Sequence, residues 1–102
     1  MFKRMLIIAL ITAPGLARAA EPSPGARLAA TCAACHGTAG ATQGSTLPPL
    51  AGQPRQTLSA ALHAFKTGKR EATIMTQLAK GYTDEQIEQL AAYFAAQKEP
   101  AK

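Results

Sequence analysis

The sequence predicts a small all-α domain made of helices joined by loops, and three observations support this fold class. The 102 residues are enough for one domain of modest size. Apolar residues recur with a helical period in several segments, and no segment has a convincing strand pattern. Glycine and proline separate these segments. With 47% hydrophobic and 17% charged residues, the composition is that of a folded domain and excludes a solvated, disordered chain.

The first 20 residues have the three parts of an export signal. Lys3 and Arg4 form a short positive region, residues 5–13 form an apolar run, and residues 17–19 fit the small-x-small rule for signal peptidase. A buried N-terminal helix and a retained membrane anchor are the alternatives, but this apolar run is too short to cross a bilayer. We therefore expect a cleaved signal peptide over residues 1–20, followed by a single mature domain over residues 21–102.

The formal net charge of +5 would suit a nucleic-acid partner, but the positions of the charges argue against one. Three of the 11 basic residues, Lys3, Arg4 and Arg18, lie in the predicted signal peptide, which contains no acidic residue. The mature domain keeps 8 basic and 6 acidic residues, a balance of +2. No apolar run reaches the roughly 18–20 residues of a transmembrane helix. We expect neither nucleic-acid binding nor a membrane span in the mature chain.

The first predicted helix, residues 25–35, contains both cysteines of the chain and is followed at once by a histidine. Cys32, Cys35 and His36 have the C-x-x-C-H spacing that is typical of c-type haem attachment. Residues three and four apart lie on one side of a helix, so both thiols, the imidazole and Leu28 would face one planar group. The pattern therefore predicts one covalently bound haem c.

Three other interpretations of the cysteine pair are weaker. A zinc site normally needs four ligands, and the chain offers only one cysteine pair. A thioredoxin-type dithiol belongs in a βαβ frame, for which the sequence has no strands. Export favours disulfides, but a bond between Cys32 and Cys35 would close a very short loop and would restrict the unfolded chain little.

The predicted mature domain is poor in large apolar side chains. It has no Trp, two Phe and two Tyr, and alanine supplies much of its apolar share. A chain of this size with such side chains would hardly offset its conformational entropy. A buried porphyrin would enlarge the core, so folding and haem attachment are expected to be coupled.

Turn and cap residues divide the remaining chain. Residues 37–52 contain four glycines and two prolines, which predict a loop that passes along the haem. A second helix is predicted over residues 56–67 and ends at Gly68. A third helix is predicted over residues 71–80, with Gly81 as its stop.

The last predicted helix begins with a capping box at residues 83–86, Thr-Asp-Glu-Gln, and extends to residue 97. Its apolar residues recur at the helical period, so one face should be buried in the core. The residues of this face are Ile87, Leu90, Ala91 and Phe94.

Met75 is the one methionine of the mature domain, since Met1 and Met5 belong to the predicted signal peptide. It lies 39 residues after His36, far enough for the chain to pass around a ring. A lone methionine usually fills a core, but methionine opposite a histidine gives haem iron the raised potential of an electron carrier. Met75 is therefore the candidate sixth ligand. His63 is its rival, but it lies off the apolar face of its helix and is expected to be a surface residue.

With these motifs in place, nearly all of the mature chain resembles a class I c-type cytochrome. Residues 34–38 (ACHGT) and 47–53 (LPPLAGQ) are similar to the monohaem units of small bacterial periplasmic cytochromes. Residues 65–70 (FKTGKR), 73–75 (TIM) and 79–87 (AKGYTDEQI) more closely resemble the cytochrome subunit of flavocytochrome c sulfide dehydrogenase. The resemblance implies the small class I cytochrome c fold around one haem, and a periplasmic location.

The resemblance also implies a role for each of five residues. Cys32 and Cys35 would form the thioether bonds to the haem. His36 would be the proximal iron ligand and Met75 the distal one. The carbonyl of Pro48 would accept the hydrogen bond from the proximal imidazole, which makes the ring a stronger donor. The implied partner is a flavoprotein subunit that oxidises sulfide.

We therefore expect an electron carrier and not an enzyme in its own right, since no acid–base or nucleophile constellation is present. The first hypothesis is the haem subunit of a sulfide-oxidising flavocytochrome. The second is a free-standing soluble carrier in the periplasm, which would dock its partners through basic residues near the sixth ligand. The third is a haem-based ligand sensor, which requires an open sixth position. The basic residues of the second hypothesis are Lys66, Lys69, Arg70 and Lys80.

Overall fold

A computed structural model describes residues 14–16, 19–42, 44 and 47–99, so most of the predicted signal peptide lies outside the described residues. These described residues form helices and loops without a strand, which confirms the all-α prediction. Two short 3₁₀ turns, Ala30–Cys32 and Thr38–Gly40, accompany the α-helices. The α-helices are α1 Pro24–Ala29, α2 Ala33–His36, α3 Arg55–Thr67, α4 Met75–Lys80 and α5 Asp84–Ala95.

The predicted first helix is divided into three short pieces. Ser23 caps α1 by accepting a hydrogen bond from the Ala26 N–H at 3.1 Å, and proline follows the cap directly. The helix then tightens into the 3₁₀ turn, where the Thr31 hydroxyl donates to the Leu28 carbonyl at 3.1 Å. A threonine that bonds the preceding turn in this way competes with the backbone ladder. This competition explains why one regular helix was predicted and a segmented one is found.

The second predicted helix is confirmed as α3, which ends where glycine was expected to end it. Gly68 adopts a left-handed conformation with φ of 78°, and its N–H donates to the Phe65 carbonyl. A left-handed residue after the last turn is a common helix end, and glycine adopts it without a Cβ penalty.

The third predicted helix begins four residues later than expected, because α4 starts only at Met75. The Arg70 N–H donates to the Ala64 carbonyl at 3.1 Å, which holds the chain against α3 instead of starting a new helix. Thr73 and Ile74 are β-branched, and such residues favour helix less than unbranched ones. The helix does end before Gly81, but this glycine has right-handed helical angles, φ −76° and ψ −9°, and not the left-handed ones of a typical glycine stop.

The last helix has the predicted capping box. The Gln86 N–H donates to Thr83 Oγ1 at 3.1 Å, and the Thr83 N–H donates to Gln86 Oε1 at 2.9 Å. The helix ends at Ala95, two residues before the predicted end. All four residues of its predicted apolar face are buried, with exposed fractions of 3% or less.

The core lies where α5 packs against both α1 and α3, while α4 packs against α3. Gly25 of α1 allows a close helix contact, because a Cβ there would lie 2.5 Å from the Gln89 carbonyl oxygen and 2.9 Å from Tyr93 Cβ. Eight of the described apolar residues are buried, and half of them are alanines. No helix among the described residues is long and apolar enough to cross a bilayer.

Candidate haem site

The C-x-x-C-H residues lie on the last two pieces of the segmented first helix. Cys32 ends the 3₁₀ turn and packs partly buried against the core, while Cys35 is exposed in α2. His36 is the last residue of α2. In this structure, Cys32 and Cys35 are not joined by the short disulfide considered from the sequence.

His36 is buried, with only 8% of its surface exposed, and its ring is held by the following loop. Its Nδ1 lies 3.0 Å from the Pro48 carbonyl oxygen. A carbonyl can only accept, so Nδ1 bears the hydrogen of this bond, and in the neutral ring Nε2 then has the lone pair. A neutral imidazole oriented by a carbonyl is the usual form of a metal-ligating histidine. The ring is therefore chemically suited to haem iron.

The loop that supplies the Pro48 carbonyl is anchored at Gly40. The N–H groups of Leu50 and Ala51 donate to the Gly40 carbonyl at 2.9 and 3.2 Å. Gly40 has a φ of 76°, and a Cβ at this position would lie 2.8 Å from Phe94 Cδ1. The loop therefore passes directly over α5, at a place where only glycine fits.

Thr42 also belongs to this loop, and its hydroxyl lies beside the histidine. Thr42 Oγ1 donates to the His36 carbonyl at 2.8 Å and lies 3.4 Å from the Pro48 carbonyl oxygen. Sequence reasoning missed this residue. A threonine among several Ser, Thr and Gly residues of a loop has no spacing signal that would single it out.

The Cys32 thiol is partly desolvated in its place against the core. This burial raises its pKa above the usual range, with the Thr31 hydroxyl acting in the opposite direction and the neighbouring Cys35 adding to the increase. The Thr31 hydroxyl also lies 3.1 Å from the Tyr82 hydroxyl. This contact links the cysteine segment to the turn that precedes α5.

Met75 is half-buried at the start of α4, a separate helix that packs against α3. Four of the five predicted site residues, the two cysteines with His36 and Pro48, thus form one contiguous unit, and Met75 lies on another element. Ile74 and Leu78 on either side of Met75 are 60% and 50% exposed. Exposed apolar side chains of this kind can contact an apolar ring system. Both the donor atoms of His36 and Met75 and these apolar side chains therefore fit a haem.

His63 belongs to a polar cluster between α3 and α5 and not to the unit around His36. Its Nδ1 lies 3.7 Å from Asp84 Oδ1, and its Nε2 lies 3.5 Å from Glu88 Oε1. The Lys66 ammonium pairs with Asp84 at 3.0 Å, and Arg55 pairs with Glu88 at 3.4 Å. Lys66 is therefore less available to a partner than the sequence suggested. Within the described ranges, no group of three or more His, Cys, Asp or Glu residues could hold a metal ion.

Comparison with known proteins shows that the chain is similar to cytochromes c. The family model of cytochrome c matches residues 22–98. Cytochrome c4 of Pseudomonas aeruginosa is 40% identical over 98 residues, which is 93% of this chain and 49% of the relative. The cytochrome subunit of sulfide dehydrogenase of Chlorobaculum tepidum is 41% identical over 86 residues, which is 81% of this chain and 77% of the relative. The solved thiosulfate dehydrogenase of Marichromatium purpuratum matches with a TM-score of 0.63 and 40% identity, over 66% of this chain and 15% of that one.

A helical domain with two thiols and a carbonyl-oriented imidazole on one short segment is a c-type haem protein. The chain belongs to the cytochrome c family, and its one C-x-x-C-H segment provides for one covalent haem c. The family and the relatives confirm the prediction of an electron-transfer haem protein. The chain spans about half the length of the cytochrome c4 relative.

Proposed function

We propose that this chain is a periplasmic electron carrier whose haem iron is held between His36 and Met75. The hydrogen bond from His36 Nδ1 to the Pro48 carbonyl supports this proposal most directly, because it leaves Nε2 as the free donor atom. Cys32 and Cys35 form the two thioether bonds. Export depends on residues 1–20, which are removed to leave the domain at residues 21–102.

When bound, the haem supplies a one-electron couple at its iron. The residues of the chain orient the imidazole ring and would hold the haem. His36 is held from behind by a carbonyl, which strengthens the imidazole as a donor. Met75 provides a thioether, and a His/Met pair gives a higher potential than a histidine with an open position.

The ligand assignment is tested by Met75→Ala. We expect the variant to lose the methionine–iron absorption band of the ferric protein, to bind carbon monoxide when reduced, and to have a lower reduction potential. Gln77→Ala, a change at an exposed polar residue of the same helix, should keep the wild-type spectrum. An unchanged band in Met75→Ala would overturn the assignment. Carbon monoxide binding by the reduced wild-type protein at neutral pH would favour the sensor hypothesis instead.

The proposed partner is a flavoprotein subunit that oxidises sulfide. The support is the 41% identity to a sulfide dehydrogenase cytochrome subunit, of which this chain covers 77%. When a tagged chain is isolated from its native cells, a flavin-containing protein should co-purify with it in a fixed ratio. Sulfide should reduce the haem of that complex. The same chain purified alone should stay oxidised under equal sulfide. A chain that always elutes without flavin rejects the subunit assignment and leaves the free-standing carrier.

The second candidate function is a carrier that docks several redox proteins transiently, including an enzyme that oxidises thiosulfate. It is supported by the match to thiosulfate dehydrogenase and by exposed basic residues, Lys69, Arg70 and Lys80, around the segment that contains Met75. The connection between α3 and α4 also lines an open cleft of about 600 Å³ next to Arg70.

The basic surface is tested by replacing Lys69 and Arg70 together with Gln. Electron transfer to an acidic redox partner should be slower at low ionic strength, and its salt dependence should flatten, because fewer charges steer the encounter. Lys98→Gln, at an exposed lysine after the last helix, serves as the control for charge alone. A salt dependence equal to that of the wild type would exclude this surface as the docking site.

A further inference from the structure

The hydroxyl group of Thr42 lies between two backbone carbonyls, that of His36 and that of Pro48. Thr42 Oγ1 donates to the backbone carbonyl of His36 itself at 2.8 Å. The same oxygen atom lies 3.4 Å from the Pro48 carbonyl oxygen. That Pro48 oxygen accepts the hydrogen bond from His36 Nδ1 at 3.0 Å. Thr42 therefore contacts both the backbone of the histidine and the group that orients its ring.

The Pro48 carbonyl needs contacts from other residues to stay oriented toward His36 Nδ1. Pro48 and Pro49 have no N–H, so this part of the loop donates no backbone hydrogen bond. On one side of Pro48, the Gln53 side-chain amide donates to the Pro49 carbonyl, and the N–H groups of Leu50 and Ala51 donate to the Gly40 carbonyl. On the other side, the hydroxyl of Thr42 lies beside the Pro48 oxygen, in addition to the His36 ring.

The position of Thr42 is set by a compact turn after the haem-attachment motif. Gly37 has a φ of 82°, and a Cβ there would lie 2.7 Å from the Ala41 carbonyl oxygen and 3.1 Å from Thr42 Cα. The Gly40 N–H donates to the Gly37 carbonyl, and the Ala41 N–H donates to the Thr38 carbonyl, both at 3.0 Å. This turn brings Thr42 back to the end of α2.

We propose that Thr42 is a positioning residue for the iron-ligating imidazole, acting through the carbonyl groups of His36 and Pro48. The inference rests on the ligand role of His36 proposed above. By bonding the His36 carbonyl beside Pro48, the hydroxyl keeps the Pro48 oxygen in line with Nδ1. A well-aligned Nδ1–H bond makes the ring a stronger donor and favours the ferric state, so loss of the hydroxyl raises the reduction potential.

The test compares Thr42→Val, which keeps the shape but not the hydroxyl, with Thr42→Ser, which keeps the hydroxyl. In the reduced haem-loaded protein, hydrogen exchange of the His36 Nδ1–H, followed by NMR, should be about tenfold faster in Thr42→Val. This factor corresponds to about 1.4 kcal/mol, close to the net value of one hydrogen bond. The reduction potential of Thr42→Val should also be higher than that of the wild type.

Thr42→Ser should match the wild type in both measurements, because it retains the donor. Thr38→Val makes the same chemical change at an exposed residue of the same turn and should alter neither. Wild-type exchange in Thr42→Val, equal shifts in the Ser and Val variants, or a lower potential in Thr42→Val would each overturn the proposal. If Thr42→Val does not retain haem, Thr42→Ala is compared with Thr42→Ser by the same two measurements.

The ligand role of His36 is tested separately, by the low-spin spectrum of the wild type and its loss in His36→Ala. If the wild type is low-spin and His36→Ala is not, failure of the Thr42 comparison rejects the positioning role alone. If His36→Ala keeps the wild-type spectrum, both the ligand role and the positioning role are rejected.

Discussion

Gly40 is the residue at which loop geometry and core packing meet. Its carbonyl accepts two backbone hydrogen bonds, and its Cα faces the Phe94 ring and the Leu50 side chain. Its φ of 76° is one that side chains of L-residues rarely adopt. Any side chain here would therefore be penalised both by backbone strain and by contact with α5.

We expect Gly40→Ala to lose about 2–4 kcal/mol of unfolding free energy, from ~1 kcal/mol of left-handed strain and ~1–3 kcal/mol of overpacking. Gly68→Ala is the matched control, because Gly68 has nearly the same φ, 78°, and no heavy atom within 4 Å of an added Cβ. Gly68→Ala should lose only the ~1 kcal/mol of unfolding free energy that comes from left-handed strain. Urea unfolding of the haem-loaded proteins measures both variants, and equal losses would contradict the close contact with Phe94.

For single residues, the sequence predicted which side chains belong to the candidate site better than it predicted the hydrogen bonds between them. The C-x-x-C-H spacing predicted Cys32, Cys35 and His36 as haem residues, because residues three and four apart lie on one side of a helix. The hydrogen bond between His36 and Pro48 was expected only through a family resemblance. Thr42 was not expected at all, because its contact depends on a turn whose path no pattern specifies.

Among the elements, α5 is the one whose start is defined most fully by its own sequence. Thr83 and Gln86 form both hydrogen bonds of the capping box. We expect Thr83→Ala to lose about 1 kcal/mol of unfolding free energy, since the N–H groups of the first turn lose their acceptor. Thr57→Ala, at an exposed position inside α3, should be neutral or slightly stabilising, because alanine favours helix more. Equal urea midpoints for the two variants would contradict the capping role.

The contact between α3 and α5 should weaken in acid. The hydrogen bond from Lys66 lowers the pKa of Asp84, and the hydrogen bond from the Ser59 hydroxyl lowers the pKa of Glu88. A carboxyl group whose pKa is lowered by folding stabilises the protein above its ordinary pKa of about 4 and loses this effect as the pH falls through the lowered value. Stability should therefore decline below about pH 4 as these groups become protonated.

The double variant Asp84→Asn and Glu88→Gln tests this pH dependence. Its thermal midpoint should fall less between about pH 5 and pH 3 than that of the wild type, because it has no such protons to take up. Glu71→Gln, at an exposed position before α4, should keep the wild-type slope. A double variant that keeps the full wild-type acid slope would rule out these two carboxyl groups as its source.

Element types were predictable where periodicity and caps agreed, as in α3 and α5. The start of α4 was not, because Arg70 bonds a carbonyl of α3 and this tertiary contact replaces the helical one. The segmentation before Cys32 has a similar cause, a side chain that competes with the backbone ladder. In both cases, local propensity was overridden by one specific hydrogen bond.

For the whole molecule, the small core leads us to expect that folding is coupled to haem attachment. Half of the buried apolar residues that the structure describes are alanines, and Ile87 and Leu90 are the largest that are fully buried there. We expect a Cys32→Ala, Cys35→Ala chain to lose covalent haem, helix content and a cooperative thermal transition, as measured by circular dichroism. Haem added to this variant should restore part of the helix signal. A colourless variant with wild-type helix content and melting would contradict the coupling.

The close contact of Gly25 with α5 has a consequence for how the protein is made. The first helix finds its packing surface, the backbone at Gln89, only near the end of the chain. While the ribosome is still adding residues, α1 has no permanent neighbour, because α5 has not yet been synthesised. The nascent chain is therefore unable to bury this face of α1 before α5 has been synthesised.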